Sequence, residues 1–117
     1  MTVYVYQTFD IKQEKFVEAF KSLEKIVQYR NENYSHHIKL LSPIVGPDYT
    51  YVLLSEYEGL AEMEIQNKKM FDDEEYKEIF TPFFLEMMVQ GSMSTSMFRK
   101  VKRNSGKPVE KEGKEKD

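Results

Sequence analysis

The amino-acid sequence predicts an α+β fold of order β-α-β-β-α-β, in which a four-stranded antiparallel sheet carries its helices on one face. Three observations lead there. Apolar residues alternate with polar ones near both ends of the first hundred residues, recur every three or four positions in two intervening stretches, and fill two β-prone runs joined by Gly46-Pro47-Asp48. With 117 residues, 40% hydrophobic and 32% charged, the chain has material for one core and one domain, placed at residues 1–101.

Val3 to Phe9 alternates and is rich in Val, Tyr, Thr and Phe, side chains that suit a pleated, half-buried surface, and reads as strand 1. From Gln13 to about Arg30, Phe16, Ala19, Phe20, Leu23, Ile26 and Val27 fall on one helix face. Asn31-Glu32-Asn33 closes that helix, because asparagine tolerates the left-handed conformation that ends a last turn. His36 to Val45 and Tyr49 to Tyr57 are strands 2 and 3 of a hairpin, with Pro43, which has no N–H for a ladder, at a bulge or on an edge strand. A second helix begins at Gly59-Leu60-Ala61-Glu62 and runs to about Met70. Asp72-Asp73-Glu74-Glu75, acids suited to a helix N-terminus, break it in two. Tyr76, Ile79, Phe80, Phe83, Phe84, Met87 and Met88 continue the stripe. Pro82 inside a helix would cost about 3 kcal/mol, so a break is expected near residue 81, with Thr81 capping a new turn and Pro82 at its first position. Gly91 ends the helix, and Met93, Thr95 and Met97 alternate with Ser92, Ser94, Ser96 and Phe98 as strand 4.

Two right-handed βαβ halves of this order form the split-βαβ, ferredoxin-like sheet, which leaves one face bare. A face meeting water should be polar. Strand 1 instead offers Val3 and Val5 on one side and Tyr4 and Tyr6 on the other, and strand 3 sets Tyr51 and Leu53 against Val52 and Leu54. Both faces call for burial, and a homodimer packed sheet to sheet is the simplest closed arrangement that supplies it.

Composition removes several classes. No run nears the roughly 18 consecutive apolar residues of a membrane span, and the chain opens directly into strand-like alternation, so neither a membrane partner nor a signal peptide is expected. The absence of cysteine excludes disulfides, thiolate metal sites and cysteine nucleophiles, and fits a cytoplasmic location. The net charge of −3 is uneven: residues 102–117 hold six basic and four acidic side chains, which leaves residues 1–101 at about −5. No cluster of Lys and Arg with interleaved aromatics precedes residue 99, so no nucleic-acid partner is expected. Lys102 to Asp117 contains one hydrophobic residue, Val109, and is expected to be a disordered charged tail.

The element order, length and two-sided sheet resemble the dimeric α+β barrel superfamily over residues 2–101, a group that includes cofactor-free monooxygenases, haem-degrading enzymes, cyclases, isomerases and NIPSNAP proteins. The pattern is most similar to NIPSNAP-type domains. Leu53-Leu54-Ser55-Glu56-Tyr57 leads into Glu58-Gly59-Leu60-Ala61-Glu62, Asp73-Glu74-Glu75-Tyr76 precedes a long apolar helix, and Gly46 and Asp48 fit the hairpin before strand 3. Lys15 and Glu18 fit as well. The His and Trp that the resemblance would place on strand 3 are Leu53 and Ser55, the Arg and Tyr at the end of strand 1 are Gln7 and Phe9, and the Pro-Gly before helix 1 is Gln13-Glu14. The chain has no Trp, which several haem-degrading and quinone-forming members use in their pockets, so their chemistry does not carry over by residue.

Few residues offer chemistry. His36 and His37 are the candidate catalytic groups, since imidazole exchanges a proton near neutrality, although the favoured reading of the pair is two polar residues at a strand entrance. Neighbours on a strand face opposite ways, so the pair is no joint metal site and no metal is expected. Tyr4, Tyr6 and Tyr51 have the parity to share the sheet face opposite the valines, where an apolar ring with one polar handle suits a dimer interface and a cavity wall alike. Phe80 and Phe84, with Phe16, Phe20, Phe83, Met87 and Met88, are either ordinary core or the wall of an apolar ligand site. The acidic run at 72–75 lacks the spacing and glycine of a hard-cation loop, and the serines of strand 4 have no triad partners nearby. Neither histidine lies on a predicted helix, which argues against haem, and no cofactor is expected.

These readings converge on a small cytoplasmic homodimer that binds an apolar or aromatic small molecule between sheet and helices. The resemblance adds cofactor-independent monooxygenase or isomerase chemistry, with His36 or His37 as acid/base and Tyr6 and Tyr51 orienting the ligand. The alternative is a non-enzymatic interaction module whose bare sheet face serves self-association while the charged tail reaches a protein partner.

Overall fold

The computed structural model describes residues 1–101; the expectation for residues 102–117 lies outside the described residues. The chain runs β1 (Val3–Asp10), a 3-10 turn (Gln13–Lys15), α1 (Phe16–Asn33), β2 (His37–Leu41), β3 (Thr50–Tyr57), α2 (Leu60–Asp72), α3 (Glu74–Pro82), a π-helical turn (Phe83–Met87) and β4 (Ser94–Phe98). The four strands form one antiparallel sheet in the order β2-β3-β1-β4. This is the α+β, ferredoxin-like arrangement that the sequence predicts. No helix among the described residues is long and apolar enough to cross a membrane.

Register divides the sheet into two faces, because directly paired residues of antiparallel strands share a side. Val5 lies between Ser55 and Met97, and Tyr6 lies between Leu54 and Ser96. The helix side therefore carries Val3, Val5, Gln7 and Phe9 of β1, Tyr51, Leu53, Ser55 and Tyr57 of β3, Ile38 of β2, and Thr95 and Met97 of β4. The open side carries Tyr4, Tyr6, Val52, Leu54 and Phe98. The main core joins Phe9, Ile38, Tyr51 and Leu53 of the sheet to Ala19, Leu23 and Ile26 of α1 and to Phe83 of the π-helical turn, all buried. Full burial of such aliphatic or aromatic side chains contributes about 1.5–3 kcal/mol each. A second, smaller cluster gathers Val3, Val5 and Tyr57 under Met63.

Several sequence expectations are corrected here. β2 stops at Leu41 rather than Val45, since Pro43 cannot donate to the ladder; Ile44 is left 98% exposed in the loop. Asparagine does not close α1 in a left-handed conformation: among the described residues no non-glycine residue has positive φ, and the helix runs through Asn33 into an extended Tyr34. The second helix does break at Asp73, whose carboxylate accepts the Tyr76 backbone N–H and so caps α3. There is no fresh start at Thr81. Pro82 instead ends α3 and leads into the π-helical turn, where the wider ring lets the Met88 N–H reach the Phe83 carbonyl at 3.1 Å. That helical segment stops at Met87, and Met88 pairs with Ile11 beyond the end of β1. Gly91, with φ +81°, belongs to the following Val89–Ser92 turn, closed by the Ser92 N–H on the Val89 carbonyl.

Candidate functional site

Between the sheet and α2–α3 the packing opens into a cavity of about 670 Å³. Val5, Gln7, Ser55, Tyr57, Thr95 and Met97 form its sheet wall, Met63, Asn67, Met70 and Phe71 of α2 and Tyr76, Lys77 and Phe80 of α3 form its helical wall, and Arg30 reaches it from α1. Two polar clamps tie the helical wall to the end of α1 and the segment after it. Glu62 accepts the Ser35 hydroxyl at 2.5 Å and the Gln66 amide at 2.7 Å, while Gln66 in turn accepts the Ser35 backbone N–H. Asp73 accepts the hydroxyls of Tyr29 at 2.7 Å and Tyr34 at 2.5 Å. These bonds hold both carboxyls below their ordinary pKa, and the Asp73 bond, with burial, pushes the Tyr29 phenol up to about 12.

Arg30 is the unusual group. It is 5% exposed on the buried stripe of α1, and its partners are all neutral. Nε donates to His36 Nε2 at 3.1 Å, and Nη2 donates to the Ser55 hydroxyl at 3.3 Å and the Tyr57 hydroxyl at 3.2 Å. None of the ion pairs among the described residues includes it. Burial raises the Tyr76 phenol, and the guanidinium beside it opposes that rise. His36 is 4% exposed, stacked between Tyr34 and the Tyr57 ring 4.6 Å away. Burial first, then the Arg30 charge, lowers its pKa from 6.5 to about 4. The bond from Arg30 requires an unprotonated Nε2, so the imidazole is neutral with its proton on Nδ1, a buried atom with no hydrogen-bond partner. Among the described residues, no three His, Asp or Glu side chains come together to hold a metal ion.

Solved structures share this architecture, among them the following three. A NIPSNAP-like domain protein from Burkholderia xenovorans superposes with a TM-score of 0.72 at 15% identity, covering 92% of this chain and 89% of its own. A NIPSNAP family protein from Agrobacterium tumefaciens gives 0.69 at 12% identity, covering 94% and 100%. A protein from Nitrosomonas europaea, provisionally assigned as an antibiotic biosynthesis monooxygenase, gives 0.65 at 9% identity, covering 83% and 88%. The chain shares their ferredoxin-like α+β fold. No protein-family model and no curated protein matches it by sequence.

On this fold the predicted site residues scatter. Phe80 lines the cavity; Phe84 packs against the core outside it. Tyr4 and Tyr6 sit on the open face, where Tyr6 meets Phe98 edge to face at 5.3 Å. Tyr51 does not join them. It pairs with Phe9, which puts it on the helix side against Phe16 and Phe20. His37 is exposed opposite Glu56 on the open face, while His36 backs Arg30 from inside the protein, and neither borders the cavity. Sequence reasoning missed Arg30, Ser55, Tyr57 and Tyr76. The signal was present for two of them: Arg30 continues the buried stripe of Ala19, Leu23 and Ile26, and Ser55 occupies an inward position between Leu53 and Tyr57. A polar side chain at a core position needs partners, and here each is the other's.

Proposed function

We propose that the protein binds an apolar or aromatic small molecule in the cavity between its sheet and α2–α3, as a cytoplasmic homodimer packed open face to open face. The observation that carries this reading is the cavity: about 670 Å³ walled by Val5, Met63, Met70, Phe80 and Met97, with polar groups gathered at Arg30. That size and mixture suit a small ligand, and methionines adapt their shape to it. The dimer is supported by the open face, where Tyr4, Tyr6, Val52, Leu54 and Phe98 form an apolar strip flanked by Thr8, Asp10, His37, Lys39 and Glu56. Since His36 and His37 do not border the cavity, binding is favoured over proton transfer by either. The interaction-module alternative rests on residues 102–117, outside the described residues.

Native mass spectrometry of the purified protein tests both parts. The expected result is a dimer that carries a small-molecule adduct or takes one up from an apolar compound set, with the adduct lost in Met63→Trp, which fills the cavity. A dimer that takes up nothing overturns the binding reading, and a monomer overturns the assembly.

A further inference from the structure

Resting on the binding reading above, we infer that the ligand is a monocarboxylate, its apolar or aromatic body lying between Met63, Phe80 and Met97 and its carboxylate held by Arg30. A guanidinium stays charged at any cellular pH, and burying one without a counter-charge is costly. Arg30 is buried nonetheless, at 5% exposure, and its three hydrogen-bonded partners, His36, Ser55 and Tyr57, are neutral. His36 cannot supply the missing charge, because it accepts the Nε proton and is itself neutral. Nor does a carboxylate: among the described residues no ion pair includes Arg30, and the oxygens of Glu62 and Asp73 are turned to Ser35 and Gln66 and to Tyr29 and Tyr34. The cation therefore faces the cavity with its charge unmatched by the protein.

The ligand class follows from the rest of the wall. Ser55 and Tyr57, which receive bonds from Nη2, have hydroxyl protons of their own to donate, so an anion beside Arg30 meets a cation and two O–H groups. That is the complement of one carboxylate, which guanidinium pairs through two parallel bonds. A phosphate dianion would call for more positive charge. Among the described residues the one lysine on the wall, Lys77, lies 3.3 Å from Glu74 and over the Phe71 ring. The remaining lining is mainly apolar, which sets the character of the ligand body.

The test is calorimetric titration of the full chain at pH 7 with matched acid and amide pairs, such as 2-naphthoic acid with 2-naphthamide and decanoic acid with decanamide. The wild type is expected to bind the acid of a pair at least tenfold more tightly than the amide. Arg30→Met, which keeps an unbranched stem, is expected to bring the two within about twofold while retaining amide binding. If the methionine variant does not fold, Arg30→Lys serves: it keeps the charge but loses the fork, and its acid preference is expected to fall at least threefold. Equal affinities in the wild type, or a preference unchanged in the variants, would overturn the assignment of a carboxylate to Arg30 and leave apolar binding standing. If no member of any pair binds, the binding reading fails and this inference with it.

Discussion

His36 shows how far a single side chain's role depends on what surrounds it. An imidazole is expected to exchange a proton near neutrality, but this one is buried behind Arg30 and held neutral, with a pKa lowered to about 4. The unfolded chain takes up that proton near pH 6.5. Folding stability from this residue is therefore complete above about pH 6.5 and is lost as the pH falls through about 4. The loss is on the order of 3 kcal/mol. His36→Gln removes the titration, so urea midpoints measured between pH 7 and 4 are expected to fall less steeply in the variant; parallel profiles would refute the burial argument. The histidines were visible in the sequence as chemistry, yet their neighbours were not. Arg30, 6 positions before His36, determines what the imidazole does, and only the close of α1 onto the start of β2 brings them together.

Elements followed their local signals where no other contact competed. α1, the alternating strands and the break at Asp73 were legible from period, parity and capping chemistry. Boundaries moved where one residue removed a hydrogen bond: Pro43 shortened β2, and Pro82 turned the end of α3 into a π-helical turn instead of starting a new helix. Propensity could not choose between those outcomes at Pro82, since the return of Met87 and Met88 to the end of β1, through Lys12 and Ile11, is a long-range contact. The Val89–Ser92 turn is where a glycine is required. Gly91 has φ +81°, and an added Cβ would meet nothing within 4 Å. Gly91→Ala is thus expected to cost about 1 kcal/mol from backbone strain alone, with Gly91→Asn recovering part of it, as thermal melts would show. An unchanged melt in Gly91→Ala would mean the turn relaxes.

At the scale of the molecule, the sheet has one face covered by helices and one that is not. Cross-strand register sets Tyr6 beside Leu54, and Tyr4 beside Phe98, at the centre of the open face. Leu54→Glu places a charge in the middle of that strip without touching the helix-side core. Light scattering is expected to show a dimer for the wild type and a monomer for the variant at micromolar concentration, with native circular dichroism in both. A dimer that survives Leu54→Glu would place the interface elsewhere.

The sequence by itself determined the fold class, the order of elements and the two-sidedness of the sheet, because alternation and helical periodicity are local patterns that record which side of each element is buried. It also carried the marks of the site, an arginine on an apolar helix stripe and a serine at an inward strand position, though not their meaning. Only the tertiary structure decided that these two side chains meet, that Tyr51 faces the core and not the open side, and that the space between α2–α3 and the sheet is a cavity. Those facts depend on strand register and helix placement. Both are fixed by contacts between residues distant in the chain, and no local pattern encodes them.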